Sequence, residues 1–164
     1  YAQIAPLLGQ SEANCRQMVH RARERVQAGR PRFDVPRENH RRLLERFMQA
    51  ARRGDQPAIT ALLREAAQLV SDGGGKAVAV IRPLLGAVRI ARLFWAAYRR
   101  QDPAIDWRMG TVNGEPAILR YRDGVLAAVM VAVSDGECIS ELFTIANPDK
   151  LGTGVTAKDG GASW

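Results

Sequence analysis

The stretches whose residue types could do chemistry or recognition are few. The first is Ala13–Val26. Cys15, Met18, Val19, Ala22 and Val26 fall at i, i+3, i+4, i+7 and i+11, which is one face of a helix. Asn14, Arg16, Gln17, His20, Arg21 and Arg23 are left pointing outward. Ser11 suits the N-cap and Glu12 the first helical turn. A basic, amide-rich face suits a helix laid against DNA: phosphates attract Arg, and base edges accept bidentate contacts from Arg, Asn or Gln. The same face is also what a solvated basic helix looks like. The second stretch is Asp72-Gly73-Gly74-Gly75-Lys76. Glycine-rich loops expose backbone N–H groups to phosphates. The spacing here is not GxxxxGK[ST], however, and a strand is expected next, so a plain turn fits equally well. The third is Asn147-Pro148-Asp149-Lys150-Leu151, whose simplest reading is an Asn-Pro turn ending a strand.

Catalytic and metal chemistry find little support. The only histidines are His20 and His40, and neither lies in the strands expected to form a pocket. Asp106, Glu115 and Glu141 are available carboxylates, but edge and surface positions account for them. Cys15 and Cys138 belong to no CxxC or Cys/His cluster, so neither zinc nor any other metal or cofactor is expected.

The elements that must position these residues follow from periodicity and turn signals. Ile4, Leu7 and Leu8, then Gly9 and Ser11, predict a helix–turn–helix over residues 1–29. Gly29-Arg30-Pro31-Arg32-Phe33 marks a linker, taken as residues 30–35. A helix begins at Pro36, with Leu43, Leu44, Phe47, Met48 and Ala51 as its apolar stripe, and Gly54 closes it. Asp55-Gln56-Pro57 opens a shorter helix with Ile59, Leu62 and Leu63 inward. Ala66–Ser71 and Ala77–Ile81 read as strands. Ala87–Arg100 reads as a helix with Ile90, Leu93, Phe94, Ala97 and Tyr98 on its inner side, and Trp95, Tyr98, Trp107 and Tyr121 fill core space.

From Ile105 the period changes to two. Asn113-Gly114, Asp123-Gly124 and Ser134-Asp135-Gly136 separate four strands, the third of them Val125–Val133 and the last Glu137–Ala146. The result is an antiparallel meander. Residues 36–151 therefore form an α+β domain whose curved, mostly antiparallel sheet wraps helices around a conical hollow. Residues 152–164 form a Gly-rich flexible tail.

The whole chain has 164 residues with a formal net charge of +7, and 46% of it is hydrophobic, as in a globular protein. Up to Phe33 there are six arginines against two glutamates, which favours nucleic acid at that end. Val125–Val133 is the longest apolar run and is too short for a membrane helix. A cytoplasmic protein without a membrane partner is expected. The abrupt start at Tyr1 reads as the inside of a longer chain.

These residues carry a specific resemblance. The run S-E-x-N-C-R-x-M-V-H-R-A-R at Ser11–Arg23 resembles the end of region 4 of an extracytoplasmic-function (ECF) sigma factor. Residues 36–146 resemble a SnoaL-like domain of the nuclear transport factor 2 superfamily. The SigJ-like group of ECF sigma factors joins these parts and carries D-G-G-G-K and N-P-D-K-L motifs, which stand intact here as Asp72–Lys76 and Asn147–Leu151. Cys15 stands where a β-branched residue is usual, and Met18 where Arg or Lys is frequent. Region 2 is absent, so this chain alone would neither recognise a −10 element nor melt DNA.

The resemblance implies the C-terminal part of an alternative sigma factor rather than an enzyme. Ser11, Asn14, Arg16, Gln17, His20, Arg21 and Arg23 would then bind −35 promoter DNA. RNA polymerase core would be engaged through the β-flap, and its β′ subunit through the missing region 2. Asp72, Gly73, Gly74, Gly75 and Lys76, with Asn147, Pro148, Asp149, Lys150 and Leu151, would make regulatory contacts with the intramolecular sigma regions. The rival is a small-molecule-binding or isomerase-type SnoaL-like enzyme, and an unknown small ligand stays open in either case. A further alternative is a helix–turn–helix regulator that does not use polymerase core.

Overall fold

The chain divides into two units, Tyr1–Phe33 and Asp34–Trp164. The computed structural model describes residues 35–151 and the backbone of Val155–Thr156, all within the second unit. The expected helix–turn–helix, the linker up to residue 34 and the rest of the tail lie outside the described residues.

Helix α1, Arg37–Arg53, starts after Pro36, with Glu38 in its first turn and Arg52 and Arg53 in its last, matching the helix dipole. Gly54 ends it in the left-handed conformation and returns its N–H to Ala50 and Ala51 carbonyls. The expected stripe is the buried face: Leu43, Leu44, Phe47, Met48 and Ala51 all point into the core. The opposite face carries the i,i+4 pairs Glu38–Arg42 and Arg41–Glu45. Helix α2, Gln56–Ala61, is capped by the Asp55 carboxylate, which accepts the Ala58 N–H at 3.0 Å. Helix α3, Ala87–Tyr98, buries Ala87, Ile90, Ala91 and Phe94. The Phe94 ring stands edge-on to Phe47 with centroids 5.0 Å apart, joining α1 to α3.

The strands are β1 (Leu63–Asp72), β2 (Leu84–Leu85), β3 (Ile105–Val112), β4 (Glu115–Arg122), β5 (Val125–Ser134), β6 (Ile139–Ile145) and β7 (Val155–Thr156). They form one sheet in the order β2-β1-β6-β5-β4-β3-β7. β3 to β6 are the expected antiparallel meander. The tight turns at Asn113-Gly114 and Asp123-Gly124 hold all four residues at positive φ, as hairpins of this hand require. Register shifts between Arg120 and Tyr121 and between Val133 and Ser134 bend the sheet around the helices. The core lies on the concave side; Ala117, Leu119 and Val129 form a smaller apolar cluster on the other side. This is the α+β layout expected from the sequence.

Several expectations are corrected. Ala77–Ile81 is a loop, not a strand: Val78 and Ile81 are 91% and 99% exposed, and only Leu84–Leu85 pairs with β1. β1 begins at Leu63 rather than Ala66, and it pairs with β6 in parallel, an arrangement the meander does not imply. β6 begins at Ile139, because the Asp135 carboxylate accepts the N–H groups of Glu137 and Cys138 and keeps them in the turn. Helix α3 stops at Tyr98, and Leu93, Trp95, Ala97 and Tyr98 stay exposed instead of filling the core.

Candidate functional site

Two of the stretches singled out in the sequence meet. β1 and β6 run parallel with Asp72 opposite Ile145, so both strands leave the sheet at the same end. The first motif starts on the last residue of β1. The second starts just past β6 and continues into the short helix α4, Pro148–Leu151. Their backbones are stitched together: the Asp72 carbonyl accepts the N–H groups of Ala146 at 2.7 Å and Asn147 at 3.0 Å.

The side chains repeat the exchange. Lys150 Nζ donates to Asp72 Oδ2 at 2.7 Å. Lys76 Nζ donates to both carboxylate oxygens of Asp149, at 2.8 and 2.6 Å, across 73 positions of sequence. Each motif thus supplies one acid and one lysine to the other. The Lys150 ammonium, and then the Gly74 N–H on Oδ1, hold the Asp72 carboxyl below the usual carboxylate range. These charges are exposed, so each pair adds little stability. The buried part is Asn147, 8% exposed, whose Oδ1 accepts the Asp149 N–H at 3.1 Å. Its amide lies against Gly74, whose φ is +58°, and a Cβ there would come within 2.3 Å of Asn147 Nδ2.

A phosphate-cradle reading of this loop is weak on geometry. The Gly74 N–H is already used by Asp72, and the Lys76 and Ala77 N–H groups by the Gly73 carbonyl. What the pair offers outward is a small surface of alternating charge: Lys76, Asp149 and Lys150 are all largely exposed. Beside it the loop after Lys76 exposes Val78 and Ile81. Among the described residues no group of three or more His, Cys, Asp or Glu could hold a metal ion, and no helix is long and apolar enough to cross a membrane.

The expected hollow is a cavity of about 280 Å³ between α3, the concave face of the sheet and the loop at Val78–Val80. Leu69, Phe94, Trp107, Ile118, Ala128 and Met130 give it an apolar wall, and no carboxylate or histidine lines it. Asp106 is turned to Arg108 at 2.8 Å, and that guanidinium holds its carboxyl below the ordinary range. Glu115 is exposed, and Glu141 is not part of the lining. His40 lies elsewhere, with Nδ1 2.7 Å from the Ser134 hydroxyl; burial lowers its pKa, opposed by Glu115. The candidate DNA-binding set, Ser11, Asn14, Arg16, Gln17, His20, Arg21 and Arg23, lies outside the described residues. Sequence reading missed Arg120, which lines the cavity. No sequence signal singles it out: Pro116–Leu119 is apolar on both faces of the strand, and only the register with Trp107 and Ala128 places Arg120 on the concave side.

No family model matches the chain. It is 31% identical to the ECF RNA polymerase sigma factor SigJ of Mycobacterium tuberculosis, over 97% of this chain and 54% of that protein. It is 27% identical to the probable ECF sigma factor SigI of the same organism, over 92% of this chain and 50% of the relative. The chain therefore spans about half the length of the curated relatives it matches. Among solved structures, the crystal structure of M. tuberculosis SigJ superposes with a TM-score of 0.58 at 30% identity, covering 91% of this chain and 53% of that one. A SnoaL-like protein of unknown function from Burkholderia thailandensis gives a TM-score of 0.51 at 14% identity, covering 67% and 95%, and speaks for the fold alone.

Proposed function

We infer, from a chain that is a relative of the SigJ-like ECF sigma factors, that it is part of an alternative sigma factor governing transcription initiation. In this reading residues 1–29 recognise the −35 element, and the SnoaL-like domain regulates that activity in cis. Promoter DNA and RNA polymerase core are the partners, and the cytoplasm is the compartment.

The observation that carries the regulatory half is the reciprocal pairing of Asp72 with Lys150 and of Lys76 with Asp149. The pairs are too exposed to contribute much to folding, so their role is better sought in recognition. Charged groups beside exposed Val78 and Ile81 suit a protein surface, such as the sigma regions, better than a nucleic acid. The cavity argues for regulation rather than turnover, since its lining has no acid/base pair.

The test is promoter-specific transcription in vitro with polymerase core and the full-length protein. Lys76→Glu and Asp149→Lys should each change transcript yield, and the double reversal should move it back towards wild type. Wild-type yield in all three would overturn cis regulation through these motifs. Separately, binding to a −35 fragment should weaken as salt rises and weaken again in Arg21→Ala. Binding that is absent, or indifferent to salt, would overturn the DNA half.

A further inference from the structure

Arg120 sits in the middle of the sheet with apolar neighbours. Across β4 its register partners are Trp107 on β3 and Ala128 on β5, and Ile118 lies two residues away on the same face. All of them line the main cavity. Arg120 also lines an adjoining cleft of about 230 Å³, so it is shared by the two hollows.

Among the described residues the Arg120 side chain makes no hydrogen bond or ion pair, while its backbone belongs to the ladders with β3 and β5. The carboxylates on β3 and just before it are paired with other arginines. Asp102, in the adjoining cleft, pairs with Arg122 and accepts the Ala104 N–H. Asp106 pairs with Arg108. The other charges near the hollows add to the imbalance: Arg100 lines the main cavity and Arg52 the cleft. Burial, and then Arg122, pull the Arg120 pKa below the ordinary guanidinium value. Arg120 is half-buried, so its guanidinium keeps contact with water while part of its hydration is lost, and an anion arriving from solution would compensate that charge. Arginine offers a planar fork that fits a carboxylate through two parallel hydrogen bonds.

We propose that this cavity binds a small organic anion, an apolar body carrying one carboxylate, with the carboxylate on Arg120 and the body against Phe94, Trp107, Ile118 and Met130. The volume, about 280 Å³, falls near the lower end of the ~300–1,000 Å³ usual for ligand pockets and suits a medium-chain or single-ring acid. Ser71 and Thr144, opposite each other in the β1–β6 register, add hydroxyls to the lining. The lack of a lining acid or histidine makes this a binding site rather than a catalytic one. The proposal concerns the cavity alone and stands or falls independently of the sigma-factor reading.

Calorimetric titration of the intact chain with decanoate, 2-naphthoate and the neutral control 1-decanol tests it. Decanoate or 2-naphthoate should bind saturably at one site, and decanoate more tightly than decanol. Arg120→Gln should weaken the acids by roughly 10- to 100-fold, the worth of a charge-assisted contact, and leave decanol within about threefold. Arg120→Lys should keep part of the preference. Ala97→Phe, which fills the cavity from an exposed helix position, should weaken acid and alcohol alike. Circular dichroism and thermal melts establish that each variant is folded. No saturable binding of either acid at millimolar concentration overturns the proposal. So does equal affinity for decanoate and decanol, or acid binding unchanged in folded Arg120→Gln.

Discussion

Replacing Gly74 by alanine tests whether the two motifs form one structural unit. Gly74 has φ +58° and Gly75 φ +70°, so alanine at either position is strained by about 1–2 kcal/mol. Part of that is offset because alanine has less freedom to lose on folding, roughly 0.4–1 kcal/mol. The surroundings then separate the two sites. A Cβ at Gly75 meets nothing within 4 Å. One at Gly74 falls 2.3 Å from Asn147 Nδ2 and 2.4 Å from its Cγ, well inside the ~3.5–4.0 Å of ordinary contact. Asn147 is buried and must move, which strains the packing by about 1–3 kcal/mol. Its bond to the Asp149 N–H, worth about 1 kcal/mol, goes as well. Gly75→Ala should therefore cost about 1 kcal/mol and Gly74→Ala about 3–5 kcal/mol. In melting temperature that is about 3–5 °C and about 9–25 °C for a domain of this size. Differential scanning calorimetry reads both. The decisive comparison repeats Gly74→Ala in an Asn147→Ala background, where the clash is gone and the added cost should fall to that of Gly75→Ala. Equal costs at the two glycines, or an undiminished cost once Asn147 is removed, would refute the reasoning.

Two pH effects follow from the described carboxylates and His40. Asp135 is held down to about 2 from 3.8 by the N–H groups of Cys138 and Glu137, with Arg64 adding less. Its folded pKa lies below its unfolded one, so its stabilisation is complete above about pH 4 and is lost as pH falls towards 2. Acid melts should show a shallower loss over that range in Asp135→Asn, which starts from lower stability; an identical slope would sink the assignment. His40 is lowered from 6.5 by burial, against Glu115, so the unfolded chain takes up the proton first. Urea midpoints should fall as pH drops below about 6.5, and His40→Gln should flatten that fall. A slope unchanged by the substitution would assign the effect to another group.

Locally encoded features were the legible ones. Asn113-Gly114 and Asp123-Gly124 announce their hairpins because each turn conformation depends on its own residues. The α1 stripe was legible because five apolar side chains at helical spacing can only turn inward together. The parallel pairing of β1 with β6 was not, since periodicity tells which face of a strand is buried and never which strand lies beside it. That pairing brings Asp72 to Lys150, so the motifs were visible while their contact was not. Ala77–Ile81 misled because valine and isoleucine favour strands; here Val78 and Ile81 stand in solvent on a loop while Val80 packs on the core. Arg120 was passed over for the opposite reason: charge on a strand is read as outward, and its register with Trp107 and Ala128 turns it to the concave face.

The clasp between the motifs has two layers with different physics. The lower layer is backbone and buried amide: the Asp72 carbonyl accepts two N–H groups, and Asn147 is wedged against Gly74. Ala146 and Asn147 are buried, so breaking this layer costs the fold. The upper layer is the ion pairs, exposed and screened, whose partners exchange with solvent or with another surface at small cost. A site meant only to fasten β1 to β6 would need the lower layer alone, because the parallel ladder already joins the strands. The two acids and two lysines above it are therefore explained better by a partner than by the fold. Stability and transcription should accordingly respond to different substitutions: glycine and asparagine changes lower the melting temperature, whereas charge reversals leave it nearly untouched and alter what the surface recognises.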